Sequence, residues 1–139
     1  MGDFRVVKSL VGDTVEMGRG PAHAALEEGD LAKWTANRIQ KVVDNDTAND
    51  LVLVKEDAAE QDDMVQYVWL EPWTLIEGTV KGTVAAVGDH VHIDVTSNNI
   101  TFEKDGTTQA SAKFEVREVV NATTKLVRAV RISGELNAT

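Results

Sequence analysis

The side chains best placed to do chemistry are His90 and His92, with Asp89 just before them and Asp94 just after. Alternate residues of a strand share a face, so both imidazoles and the Asp94 carboxylate would stand on one side of a β-strand. A histidine pair of that kind is half of a zinc or iron site, as in a small cupin-like barrel. No third histidine or correctly spaced glutamate follows, and Glu103 falls outside the cupin spacing. His90 and His92 therefore stand as an incomplete metal pair beside the simpler reading of two surface histidines, and His23 has no neighbour to act with. Asp44, Asp46 and Asp50 occupy three ligand positions of a calcium loop, but Asn49 stands where glycine is needed and Lys55 where a bidentate glutamate belongs.

Covalent catalysis has less to work with. The chain has no cysteine, and Ser9, Ser97, Ser111 and Ser133 lie outside any Gly-x-Ser-x-Gly elbow. Gly18-Arg19-Gly20 and Gly78–Gly82 lack the strand-then-helix setting of a phosphate-binding loop. Carboxylates are plentiful, but they fall in acidic loops where solvation is the ordinary explanation. The residues predict no enzymatic activity, no cofactor and no complete metal site.

Charge narrows the partners. The 139 residues hold 14 basic and 23 acidic side chains, a net charge of −9, which argues against a nucleic-acid partner held by phosphate contacts. No window reaches the roughly 20 apolar residues of a membrane helix, and Met1–Arg5 runs into a strand-like pattern without a signal peptide's apolar core. A soluble product made in the cytoplasm is the expectation, with neither disulfides nor thiolate metal sites. Glu27–Asp63 is strongly acidic, whereas Ala110–Ile132 is basic through Lys113, Arg117, Lys125, Arg128 and Arg131. Such halves are either differently solvated surfaces or complementary patches between neighbouring subunits.

The elements that position these residues are strands. Val91, Ile93 and Val95 alternate with His92, Asp94 and Thr96, and Asn98-Asn99 supplies a turn. That turn pairs Ser97 with Ile100 and Val95 with Phe102, gathering Val91, Ile93, Val95, Ile100 and Phe102 on one apolar face. A second hairpin is centred near Ala36-Asn37, and the two echo each other. Gly29-Asp30 followed by Thr35-Ala36-Asn37-Arg38-Ile39 parallels Gly88-Asp89 followed by Thr96-Ser97-Asn98-Asn99-Ile100. A period near 60 with two copies is explained equally well by duplication and by reuse of common turn chemistry.

Further strands are predicted at Phe4–Leu10, Leu51–Lys55 (buried on both faces), Val65–Leu70, Thr74–Val80, Ala112–Val120 and Leu126–Ile132. Thr14–Met17 continues the first strand after a Gly12-Asp13 break. Gly18–Pro21 reads as a loop, Ala22–Glu28 as a helical turn, Glu56–Asp63 as a solvated helix turn or mobile loop, and Lys104–Thr108 as a loop. Trp69 and Trp73 flank the break at Pro72 as core residues or interface anchors. The expected fold is all-β: a single domain over residues 1–132, a sandwich or barrel of about ten short antiparallel strands with at most one or two short helical turns. Residues 1–12 form an arm or edge strand, and residues 133–139 a flexible tail.

Val87-Gly88-Asp89-x-Val91-x-Ile93-Asp94, then Ile100-Thr101, Gly106-Thr107-Thr108, a strand with Phe114 and Val116, and Leu126-Val127-Arg128-x-x-Arg131-Ile132 resemble the C-terminal half of the capsid decoration (cement, or head-stabilising) proteins of tailed bacteriophages. The resemblance spans roughly Val80–Ile132, and Gly20-Pro21-Ala22 with Ala25-Leu26-x-x-Gly29-Asp30-Leu31 is similar to the N-terminal part. Where that family usually has Val-Gly-Val-Ala, this chain has Lys113-Phe114-Glu115-Val116-Arg117. The resemblance implies a compact β-barrel or β-tulip-like domain, and a non-enzymatic virion protein, a homo-oligomer and commonly a trimer, bound outside the capsid to the major capsid protein. Under it Phe4, Arg19, Trp73, Arg117, Arg128 and Arg131 are the candidates for contact. The alternatives are a cupin-like metal-binding barrel using His90 and His92, and a head-tail adaptor or binding module.

Overall fold

Among the described residues, short alternating stretches closed by turn residues give eleven strands and no helix. They are β1 (Arg5–Ser9), β2 (Met17–Pro21), β3 (Leu31–Thr35), β4 (Arg38–Lys41), β5 (Leu51–Val54), β6 (Met64–Trp69), β7 (Thr74–Lys81), β8 (His90–Thr96), β9 (Asn99–Lys104), β10 (Phe114–Asn121) and β11 (Leu126–Arg131). The computed structural model describes residues 4–9, 16–44, 46, 48, 50–83, 85–104 and 114–132. The predicted Gly12-Asp13 break, the loop at 105–108, the start of the strand at 112–113 and the tail at 133–139 lie outside them.

The all-β expectation holds, and the strands assemble in two copies of one arrangement. In the C-terminal copy β7, β11, β10, β8 and β9 pair antiparallel in that order, and a parallel β9–β7 pairing at Val80–Phe102 closes the barrel. In the N-terminal copy β2, β6, β5, β3 and β4 pair antiparallel in the corresponding order, and its ends meet at one parallel bridge, Ala22–Ile39. The echo in sequence is thus matched by an echo in strand order. The β1 strand adds to β7 outside the repeat.

The repeat is built on one corner. Gly29 and Gly88 adopt φ of 92° and 94°, a left-handed backbone that glycine takes without strain. The Asp30 and Asp89 carboxylates accept the amides of Glu27 and Ala86 at 2.9 and 2.8 Å, locking the turn that enters each hairpin. Their carbonyls accept the amides of Val54 and Val116, both at 2.9 Å, while the glycine amides donate back to the carbonyls of the same valines, both at 2.8 Å. Lys41 and Lys104 on the return strands then face the two carboxylates at 3.6 and 3.3 Å. At the other end of each hairpin, Ala36-Asn37 and Ser97-Asn98 carry positive φ as two-residue turns.

The second turn is Ser97-Asn98, not Asn98-Asn99, so Val95 pairs with Ile100 and Ile93 with Phe102. Moving a two-residue turn by one position shifts the register by two. Ile100 and Phe102 therefore keep the inward face expected of them. Two other expectations are corrected. Gly18–Pro21 is strand β2 because rings of the sheet lie against its glycines: a Cβ on Gly18 would sit 2.6 Å from the Tyr67 hydroxyl, and one on Gly20 2.6 Å from Trp34. Ala22–Glu28 is not helical, since the Ala22 and Leu26 amides donate to the carbonyls of Asp63 and Ala58 rather than within the segment.

The two copies share a core. Val52 and Val54 of β5 point into the N-terminal cluster with Ile39, Val65 and Tyr67, while Leu51 and Leu53 join Leu31, Val42 and Leu70 in the cluster of the C-terminal barrel. All four β5 side chains are buried, as the unbroken apolar run predicts. Inside the barrel, Phe102 is fully buried, and its ring meets Phe4 edge-on at 5.0 Å and Phe114 at 5.0 Å.

Gly78 occupies in β7 the place of Gly20 in β2, and a Cβ there would collide with the Phe4 ring and lie 3.0 Å from Phe102. Gly78→Ala and Gly20→Ala are each expected to destabilise the protein by about 1–3 kcal/mol through overpacking. Urea unfolding followed by tryptophan fluorescence checks this; unchanged midpoints would show that the rings do not need the space.

Candidate interaction surface

On the outer face of the C-terminal barrel, four charged side chains stand directly opposite one another across four strands. Arg5 of β1 pairs with Glu77 of β7, Glu77 with Arg128 of β11, and Arg128 with Glu118 of β10. Arg5 grips Glu77 with two hydrogen bonds, Nε to Oε1 at 2.8 Å and Nη2 to Oε2 at 3.0 Å. Arg128 donates Nε to the same carboxylate at 3.1 Å and Nη1 to Glu118 at 3.4 Å. Alternating signs at directly opposed positions form a continuous ladder, and the forked Arg5 bond fixes its geometry.

Glu77 is the centre of that ladder and is buried. The Arg5 hydrogen bonds hold its carboxyl below the usual carboxylate range; burial opposes this and Arg128 reinforces it. A carboxyl with a depressed folded pKa contributes stability above its unfolded pKa and loses it as pH falls through the folded value.

Beside the ladder, Leu75, Val130 and Ile132 form a small apolar cluster covered by Val7 and the half-buried Trp73. Trp73 has φ of +69°, a costly backbone for a bulky residue, and donates its amide to the Arg131 carbonyl. The Arg117 guanidinium lies 6.0 Å from the centre of its ring, at the reach of a cation–π contact.

The six contact candidates separate accordingly. Trp73, Arg117 and Arg128 come together on this face. Arg19 lies on β2, paired with Glu56 at 2.9 Å. Phe4 is buried against Phe102, and Arg131 is buried with its Nη1 donated to the Ile132 carbonyl at 2.9 Å, so neither side chain is presented to a partner. Arg5 and Glu77 escaped the sequence reading. The signal available was Glu77 itself, one acid within Thr74-Leu75-Ile76-Glu77-Gly78, where a buried charge requires a partner.

His90 and His92 share the outer face of β8, but each faces its own carboxylate. His92 Nε2 lies 3.0 Å from Glu103, and His90 Nε2 3.6 Å from Glu115, both directly across a strand pair. Among the described residues no three His, Cys, Asp or Glu side chains are grouped to hold a metal. That face is less wet than its alternation implied: Asp94 is buried beside Lys81.

The acidic third is organised rather than merely solvated. The buried Asp46 carboxylate meets Lys33 at 2.7 Å and accepts the amides of Val43 and Ala48. Asp63 accepts the amides of Ala59 and Glu60, Asp57 that of Glu28, and Arg38 grips Asp62 at 2.9 Å. These carboxylates fix turns in the N-terminal copy, so much of the charge is spent inside it.

Comparison with protein-family models finds no match, and comparison with curated proteins likewise finds none.

Removing the charge at the centre of the ladder leaves two arginines without their acceptor. Glu77→Gln is expected to lower stability at neutral pH by about 1.5–3 kcal/mol, the worth of hydrogen bonds to a charged group. The deficit should shrink as pH falls through the folded pKa of Glu77, because the parent protein then loses the same charge. Urea midpoints for both proteins across the acid range test it; a deficit independent of pH would exclude the charge as the cause.

Proposed function

We propose that this chain is a non-enzymatic structural protein that binds the outer surface of a viral capsid and stabilises contacts between major capsid protein subunits. It is made in the host cytoplasm and acts on the virion as a homo-oligomer, with a trimer favoured. The observation that carries this reading is that the stretch resembling phage decoration proteins, Val80–Ile132, coincides with most of the closed barrel formed by β7 to β11. A cement protein has to present a fixed surface under load. The ladder of Arg5, Glu77, Arg128 and Glu118 supports that reading, since it ties four neighbouring strands together on one face.

The same face offers an amphipathic anchor. Trp73 is half-buried at the edge of an apolar cluster with Arg117 against its ring, and Trp and Arg are the side chains most often found to dominate association energy. Each contact can be weak, because an oligomer engages several coat subunits at once.

Cosedimentation with shells assembled from the major capsid protein of the same genome tests the reading, with light scattering for the free oligomer. The protein is expected to pellet in fixed ratio with intact shells, and Arg117→Ala to weaken that binding at least about tenfold, the equivalent of about 1.4 kcal/mol, while its urea midpoint moves by no more than the loss of the exposed pair with Glu115 would give. Protein that stays in the supernatant with every shell state, expanded or not, would overturn the proposal.

A further inference from the structure

The hairpin of β8 and β9 is longer than its counterpart, β3 and β4, and the extra length has a consequence for the surface. Beneath its tip, beside the end of β7, lies an open cleft of about 320 Å³ lined by Lys81, Asp94, Thr96, Ser97, Asn99 and Thr101. At the corresponding place in the N-terminal copy, Thr35 is paired with Arg38, whose guanidinium is tied to Asp62. The side chains at the two turns thus differ, with Asn99 in the second copy where Arg38 stands in the first.

Its polar groups are arranged in a relay. Lys81 Nζ donates to Thr96 Oγ1 at 3.0 Å, and Thr96 Oγ1 donates to Asp94 Oδ2 at 2.9 Å. Lys81 also lies 3.4 Å from the same carboxylate oxygen. Asp94 is buried, so its orientation is set before any ligand arrives. Directly across the strand pair, Thr101 carries a buried hydroxyl with no hydrogen-bond partner. Ser97 and Asn99 add a hydroxyl and an amide at the exposed rim.

We infer that this cleft binds a neutral saccharide. One ammonium and one carboxylate a few ångströms apart cancel, so the site favours neither an anion nor a cation. What remains is a fixed carboxylate acceptor, an ammonium, an amide with both capacities, and the exposed hydroxyls of Thr96 and Ser97, all lining one small cleft. Adjacent hydroxyls of a sugar ring, each able to donate and accept, match that set. The volume lies at the lower end of the range for small-molecule sites and suits one or two rings. A half-open site of this size gives weak individual binding, Kd about 1 mM, raised by multivalent display if the protein is an oligomer. The inference stands independently of the capsid reading, because its test contains no capsid.

The probes are glucose, galactose and maltose, titrated into the isotopically labelled full chain and followed by amide chemical shifts, with inorganic sulfate as the anionic comparison. At least one sugar is expected to shift amides of Lys81 and of residues 94–101 selectively and saturably. Ser97→Ala and Asn99→Ala, both at exposed positions, are each expected to weaken that binding about tenfold with unchanged urea midpoints, and Ala36 holds the place of Ser97 in the first hairpin's turn. Three results would overturn the inference: no saturable shift with any of the three sugars, sugar binding that neither variant weakens, or sulfate binding at the cleft more tightly than the sugars do.

Discussion

Both copies of the fold depend on a corner in which a left-handed glycine precedes an aspartate whose backbone and carboxylate both hold neighbouring chain. The carboxylate holds the entering turn and faces a lysine on the return strand, and the main chain exchanges two hydrogen bonds with a single valine on the neighbouring strand. This fixes where each hairpin begins. The inward face of the hairpin, and the point at which its return strand meets the first strand of the copy, follow from that origin. A glycine lies opposite the hairpin in both copies, where the space a side chain would take is filled by Trp34 at Gly20 and by Phe4, with Phe102 behind it, at Gly78.

Strand β5 joins the copies. Its alternate residues serve two cores, one within the N-terminal sheet and one shared with the barrel, so neither copy completes its burial alone. Separating the two copies would expose Leu51 and Leu53 together with the surface they cover, at a cost of about 1.5–3 kcal/mol for each leucine. The β1 strand is fastened from the other side. Phe4 enters the barrel core while Arg5, one residue later, forks onto Glu77 outside it.

Charge is used locally throughout. Carboxylates of the acidic third hold turns, and those of the barrel sit across strands from arginine, lysine or histidine. A surface whose side chains are already held loses less conformational entropy on association than one of free long side chains, which favours adhesion through many modest contacts. The proposed capsid role draws on that property, and the cleft beneath the β8–β9 hairpin is the place where polar groups converge without being fully satisfied by each other.

The sequence by itself determined the fold class, both hairpins, the burial of β5 on two faces and the inward set Val91, Ile93, Val95, Ile100 and Phe102, of which Val95 is half-buried against the core and the others buried. These depend on the period of two and on turn residues, which are written in consecutive positions. The one-residue error in the second turn did no harm to that set because register moves in steps of two. Only the tertiary structure decided that Gly18–Pro21 is a strand, that Ala22–Glu28 is bridged to distant chain, that Phe4 and Arg131 are interior, and that an echo of a few residues is a repeated topology. Each of these depends on which strand lies alongside, and that is settled by pairing between residues far apart in the chain, where no local pattern reaches.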